Sequence, residues 1–235
     1  MAQRPAPSEP AAPARPRKRL GPREREQMIV EEAVRYFAEH GFEGETRALA
    51  RQIGVSHALI FRYFPTKQAL IDRVYEEVFL RRWNPEWEEW LDDRRVPLRR
   101  RLRRFYKAYY GAVDDYEWIR IALSSAMRRV NIMERYLSLV RQRLIRRIAT
   151  ELRAHYRLPP PDAVPLTALE LQLVWNFHAF AIYALIAKHV YGARMPLTAE
   201  PAIDAQIDLF LAGARAQIKA ALATPAPSLP AKAAR

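Results

Sequence analysis

The stretch EGETRALARQIGVSHALIFRYFPTK, residues 43–67, decides the fold. Thr46 is of the type that caps a helix by accepting a hydrogen bond from a first-turn N–H. Ala48, Leu49, Ala50 and Ile53 follow, with Leu49 and Ile53 four apart on one face. Gly54 supplies the positive φ that a sharp turn demands. Ser56 is a second N-cap, opening a run from His57 to Phe64 in which Ile60 and Phe64 share a face. Phe61 lies close to that face, while His57, Ala58 and Arg62 point elsewhere. Pro65 disfavours helical geometry at Phe64 and ends the run, and Thr66 caps the helix beginning at Lys67. Two short helices joined by a glycine turn form a helix-turn-helix, whose second helix enters the DNA major groove.

Gly41-Phe42, Thr46-Arg47-x-Leu49-Ala50, Gly54-Val55-Ser56, Phe61-x-Tyr63-Phe64 and Lys67 together resemble the TetR/AcrR family of bacterial regulators. With the flanking helices the resemblance covers residues 22–82; the remainder matches only in helical pattern. It implies phosphate contacts from Thr46, Tyr63 and Lys67, and base reading by Arg47, His57 and Ala58. Leu59 stands where a phosphate-binding threonine is common, and Phe61 replaces a usual tyrosine, so fewer neutral phosphate contacts are expected from the second helix.

Each residue also has a plainer role. Phe61 and Phe64 are expected in the core, and Tyr63 is divided between core and contact because its hydroxyl seeks a partner. Thr46 and Ser56 are explained by capping alone. Arg47 is either a surface cation or a groove contact, since arginine pairs bidentately with guanine edges. His57 is a surface residue or a reader, Lys67 a backbone anchor beside helix N–H groups, and Arg62 the least determined.

Composition agrees. With 39 Lys+Arg against 26 Asp+Glu, the net charge is +13, which draws the chain to polyanions without separating DNA from RNA or anionic membrane. Cysteine is absent, excluding disulfides and thiolate sites and suiting a reducing cytoplasm, where a nucleoid-associated bacterial regulator works. Residues 1–21, including Arg15-Pro16-Arg17-Lys18-Arg19, lack an apolar segment and read as a disordered basic arm, either solubilising or DNA-tracking. Residues 224–235 read as a disordered tail. No glycine-rich phosphate loop, nucleophile elbow or metal-spaced histidine pair is present, so no catalytic or metal residue and no cofactor is expected.

Between the tails the pattern is all-α. Pro22 to His40 carries Ile29, Ala33, Tyr36 and Phe37 on one stripe and completes a three-helix module. A fourth helix runs from Lys67 towards Trp83. Seven arginines crowd Arg94 to Arg104; they are read as a solvated face paired with the preceding Glu86, Glu88, Glu89, Asp92 and Asp93 rather than as a nucleic-acid surface. Helices follow over 115–129 and 132–156, the latter with a seam of Met133, Leu137, Val140, Leu144, Ile148 and Leu152. From Leu171 to Ala187 no residue is formally charged, a run of 17. It is slightly short for a membrane span and contains Gln172, Asn176 and His178. A helix apolar all round needs cover all round, so helices 164–191 and 201–222 are expected to pair with a second copy, which Phe180→Glu should break.

The sequence thus predicts residues 22–82 as a helix-turn-helix domain and 83–223 as a helical effector-binding and dimerisation domain. The expected function is a ligand-responsive repressor on a palindromic operator, with Tyr106, Tyr109, Trp118, Trp175, Asn176, Phe177, His178 and Tyr183 as pocket candidates. Two other classes stand beside it: a constitutive architectural DNA binder, recognisable by indifference to sequence and small molecules, and an all-helical enzyme, recognisable by turnover without DNA.

Overall fold

The computed structural model describes residues 21–128 and 130–223; the expected arm and tail lie outside these, apart from Gly21. Among them every regular element is helical. Helix α1 (Pro22–His40) starts on proline, whose missing N–H costs nothing in a first turn, while the Gly21 N–H donates to Glu24 Oε2 at 2.7 Å. Gly41, at φ 72°, ends it. Helices α2 (Thr46–Ile53) and α3 (His57–Tyr63) close over the α1 stripe, burying Ile29, Ala33 and Phe37 against Leu49 and Ile60. Helix α4 (Lys67–Tyr75) continues through a wider π-helical turn, Glu76–Leu80, and carries Leu70, Val74 and Val78 out of the small module on one buried face.

The larger half is built around α6 (Leu98–Val113), whose Leu98, Leu102, Phe105, Tyr106 and Tyr109 are buried. Helix α5 (Glu86–Asp92) wedges Trp87 edge-on against Phe105 at 5.6 Å between ring centroids. Helices α7 (Tyr116–Met127) and α8 (Ile132–Val140) lead through a second wide turn, Arg141–Ile145, into α9 (Arg146–Tyr156). Helices α10 (Ala168–His189) and α11 (Ala199–Ala223) close the stack.

Several expectations are corrected. The arginine-dense stretch does not mainly pair with the carboxylates just before it. Arg95 reaches Asp93 at 2.7 Å, but Arg94 and Arg101 converge on Glu151 of α9, each at 2.7 Å, and Arg99 and Arg103 meet Asp208 and Asp204 of α11, each at 2.6 Å. Sequence proximity misleads here because an amphipathic helix presents charges to whichever helix crosses it. Arg101 is moreover buried, not solvated. The seam over 132–156 is tight at Val140, Leu144, Ile148 and Leu152, but Leu137 is exposed and Met133 half-buried, because that end of the seam opens onto a cavity.

Helix α10 begins later than expected, at Ala168. The prolines from Pro159 to Pro165 carry the chain through a turn, where the Ala163 and Val164 N–H groups donate to the Pro160 carbonyl, and delay the helix until Thr167, whose hydroxyl accepts from the Glu170 N–H at 3.2 Å while Glu170 Oε2 accepts from the Thr167 N–H at 2.8 Å. That proline-rich connection is clasped by Arg153. Fully buried, it donates twice to the Glu170 carboxylate at 2.6 Å and to the carbonyls of Pro159, Val164 and Pro165. Burial alone would raise the Glu170 carboxyl; the bonds from Arg153 and Thr167 outweigh it and hold the group below its ordinary range.

By length and composition α10 could cross a membrane, and 33% of its most apolar window is buried in its own chain. Leu169, Gln172, Asn176, Ala179 and Tyr183 form its exposed stripe, whereas Phe180 packs inward at 5.7 Å from Tyr106 and 5.5 Å from Phe177. Phe180→Glu would therefore disturb the core as well as any interface. Helix α11 presents Ala205, Leu209, Ala212, Gly213 and Ala216 outward.

Candidate nucleic-acid interface and cavity

The helix-turn-helix module is set by its turns. Glu45, not Thr46, is the N-cap of α2, and its side chain makes no capping bond. Thr46 is the first helical residue, and its Oγ1 sits 2.9 Å from His57 Nε2. The capping role expected of Thr46 is thus replaced by a bond between the starts of α2 and α3, and two residues expected to touch DNA hold one another in register. Gly54 adopts φ 69°, ψ 34°, with no atom near where a Cβ would stand. Its need for glycine is a backbone one, worth about 1 kcal/mol against alanine. Ser56 caps α3 by accepting from the Leu59 N–H at 3.2 Å, as expected.

Lys67 turns its ammonium onto the carbonyls of Phe42 and Gly44, at 2.5 and 3.0 Å. It fastens the α1–α2 loop to the start of α4, leaving one of three N–H donors free for a phosphate. Arg47 and Arg51, one turn apart on α2, are exposed with no polar partner among the described residues. Arg51 escaped the sequence reading, although its i,i+4 spacing from Arg47 was the available signal. From Thr46 to Tyr63 there are three arginines and no carboxylate.

The outward face of α3 carries Ala58, Phe61 and Arg62, with His57 half-buried beside them. Phe61 overturns the core expectation: it is 37% exposed. Ile60 and Phe64 fill the inward face, and Phe61, about 100° round the helix from Ile60, packs edge-on to His57 at 4.7 Å. Tyr63 is half-buried, with the Arg62 guanidinium 5.6 Å from its ring centroid.

A cavity of about 230 Å³ lies between α6, α7, α8 and α10, lined among others by Tyr109, Trp118, Tyr136, Trp175, His178 and Ile182. Of the expected pocket residues, Tyr109, Trp118, Trp175 and His178 meet there. Tyr106 sits behind His178, its hydroxyl 3.5 Å from Nδ1. Phe177 stacks on Phe210 of α11 at 4.2 Å. Asn176 accepts from Gln172 on the outer stripe, and Tyr183 is 61% exposed, so neither reaches the cavity. Tyr136, Met133 and Ile119 line it without having been anticipated, since helical spacing does not reveal which helices leave a gap. Tyr109 Oη lies 3.0 Å from Tyr136 Oη and 3.4 Å from His178 Nε2. Burial pushes His178 down to about 4 and the hydroxyls of Tyr106, Tyr109 and Tyr136 up, so all four are neutral near pH 7.

Helix α7 joins cavity and module. On one side it lines the cavity through Trp118, Ile119 and Ala122. On the other, Arg120 Nε donates to the Ala38 carbonyl at 3.0 Å and Arg128 pairs with Glu43. A Cβ on Gly41 would approach Ser124 Oγ to 2.8 Å, so the end of α1 sits hard against this helix. Trp118 also packs 5.1 Å from Phe79, in the continuation of α4.

Residues 29–74 match the family of bacterial regulatory proteins, tetR family. The HTH-type transcriptional regulator LuxR of Vibrio harveyi is 42% identical over 65 residues, 27% of this chain; the match spans 32% of that relative. The putative transcriptional regulator from Pseudomonas aeruginosa PAO1 shares the fold at TM-score 0.64 and 20% identity, over 85% of this chain and 96% of that one. A TetR-like transcriptional regulator from Rhodococcus sp. RHA1 does so at TM-score 0.59 and 20% identity, over 88% and 100%. The all-helical architecture, a helix-turn-helix module followed by a larger helical half, is therefore that of TetR structures.

Proposed function

We propose that this chain, a TetR-family protein by its amino-terminal module, is a transcriptional regulator that grips a palindromic operator as a homodimer and is controlled by a small molecule. The observation that carries the DNA reading is the outward face of α3. Ala58, Phe61 and Arg62 stand clear of the core, near Arg47 and Arg51, whose side chains have no polar partner among the described residues, in a span from Thr46 to Tyr63 without carboxylates. Residues 22–82 are the reading domain in this proposal and residues 83–223 hold effector and partner. The work is done on chromosomal DNA in the cytoplasm, and the chain catalyses no reaction of its own.

Two copies are required because one short helix spans only a few base pairs, and a twofold pair doubles the contact. The exposed stripes of α10 and α11 suit that role: Leu169, Ala179 and Leu209 are apolar, and Ala212, Gly213 and Ala216 let a partner helix approach closely. Control follows if a ligand in the cavity favours one separation of the two heads, by no more than its differential affinity for the two states. The α4 helix, through Phe79 against Trp118, and α7, through Arg120 and Arg128, are the struts that would carry the change.

Selection of bound duplexes from random DNA tests the reading. A twofold site with half-sites about one helical turn apart, or a multiple of it, is expected. Enrichment of no sequence at moderate salt would remove the proposal.

A further inference from the structure

No residue lining the cavity carries a charge, and its single titratable imidazole, His178, is held neutral by burial. The polar groups of its lining residues differ in their partners, and the Trp175 indole N–H belongs to a half-buried ring. Tyr109, Tyr136 and His178 satisfy one another in the chain of hydroxyl and imidazole contacts already described. The Trp118 indole N–H is different: it is buried and has no hydrogen-bond partner among the described residues. Trp118 is 1% exposed and wedged between Phe79 and Tyr136, so it cannot swing its donor out to bulk solvent. A buried donor without an acceptor costs roughly 1–3 kcal/mol, and native chains seldom leave one in that state.

We infer that the cavity takes an uncharged, mainly hydrocarbon molecule of about two fused rings bearing one hydrogen-bond acceptor, a carbonyl or ether oxygen, which pairs with Trp118 Nε1. The size follows from the volume: an apolar cavity of about 150 Å³ holds benzene, and this one, at about 230 Å³, is half as large again. The charge follows from cost, because an ionised carboxylate moved into a site without a cation is opposed by several kcal/mol. The single acceptor follows from the one buried donor without a partner among the described residues that line the cavity. Ring-shaped apolar ligands suit walls of Trp118, Trp175, Tyr109 and Tyr136, which offer edge and face contacts. This inference rests on the reading of the cavity as an effector site.

Three probes of matched size test it on the full-length protein by calorimetric titration: tetralin, its ketone 1-tetralone, and the anion 1-naphthoate. The ketone should bind more tightly than the hydrocarbon by roughly three- to tenfold, the worth of one neutral hydrogen bond. Trp118→Phe should bring that ratio to about one, with both neutral probes weakened by the smaller wall, and 1-naphthoate should bind at least about a hundredfold more weakly than the ketone. Equal binding of ketone and hydrocarbon, a ratio that survives Trp118→Phe, or binding of the anion as tight as the ketone would each overturn the inference. If Trp118→Phe fails to fold, the ratio in the unmodified protein decides. A selected operator duplex separates this from the broader reading. Ketone binding that leaves duplex affinity unchanged supports the ligand class and removes ligand control. No binding of either neutral probe, with duplex binding intact, removes the ligand class and leaves DNA recognition standing.

Discussion

The helix-turn-helix module and the larger half solve opposite problems with the same element. In the module, the residues proposed to meet DNA point out: Arg47, Ala58, Phe61 and Arg62 are exposed on helices of eight residues or fewer, and the core behind them is small. In the larger half they point in: Trp118 and His178 are buried among long helices, and buried ion pairs such as Arg153–Glu170 close the gaps. An outward site depends on local turns, so a short sequence stretch specifies it. An inward site depends on how four helices drawn from residues 98–189 fail to meet, which no short stretch specifies.

The sharpest way to break that contrast is to attack the packing of the larger half. Glu170→Ala leaves Arg153 buried without its counter-charge and should cost about 3–5 kcal/mol in urea unfolding. Arg153→Met combined with Glu170→Leu should recover most of this. A loss under about 1 kcal/mol for the single change would mean the clasp is not desolvated as described.

Next comes the proposed pairing of two copies. Leu209 is 69% exposed in a single copy, and Leu209→Glu should weaken self-association by about 3 kcal/mol, on the order of a hundredfold in dissociation constant. Sedimentation showing an unchanged dimer would move the interface away from α11. Phe180→Glu is a poorer test, because that ring touches Tyr106 and Phe177 and its loss confounds folding with assembly.

Within the module, Arg47→Ala should cost about 1–3 kcal/mol on a selected operator and relax discrimination at one position per half-site. Arg51→Ala serves as its contrast: weakening that is uniform over sequences, with the salt dependence reduced by about one ion per arginine lost. Equal, sequence-independent losses from both would show that Arg47 touches only phosphate.

The smallest effect belongs to Phe61. An exposed ring beside Ala58 fits the C5-methyl group of thymine, a contact worth about 0.8 kcal/mol. Replacing thymine by deoxyuridine along the operator should find one sensitive position per half-site in the unmodified protein and none in Phe61→Ala. A sensitivity that persists in the variant assigns the methyl contact elsewhere.

These residues also mark what the sequence could reveal. The caps Ser56 and Thr66, the turn at Gly54 and the stripe Ile29–Ala33–Phe37 obey local rules, and the fold of the module followed from them. Phe61 was misplaced because a seven-residue helix has too few turns for periodicity to tell a core position from one 100° away. In the larger half, Tyr109, Trp118, Trp175 and His178 were legible as bulky or polar side chains in apolar runs. Tyr183 and Asn176 looked the same in sequence and landed on the opposite side of α10, because composition ranks residues by chemistry and not by direction. The partners of Arg99, Arg103 and Arg153 were not legible at all, since each lies on another helix brought near only by packing.

The carboxylate-free span from Thr46 to Tyr63 has a consequence in time as well as in affinity. If the chain reads DNA as proposed, a span of arginines without carboxylates lets any duplex capture it before a base is inspected. It would then find its address by gliding along the polymer and hopping between segments, a search that lengthens as salt loosens its hold.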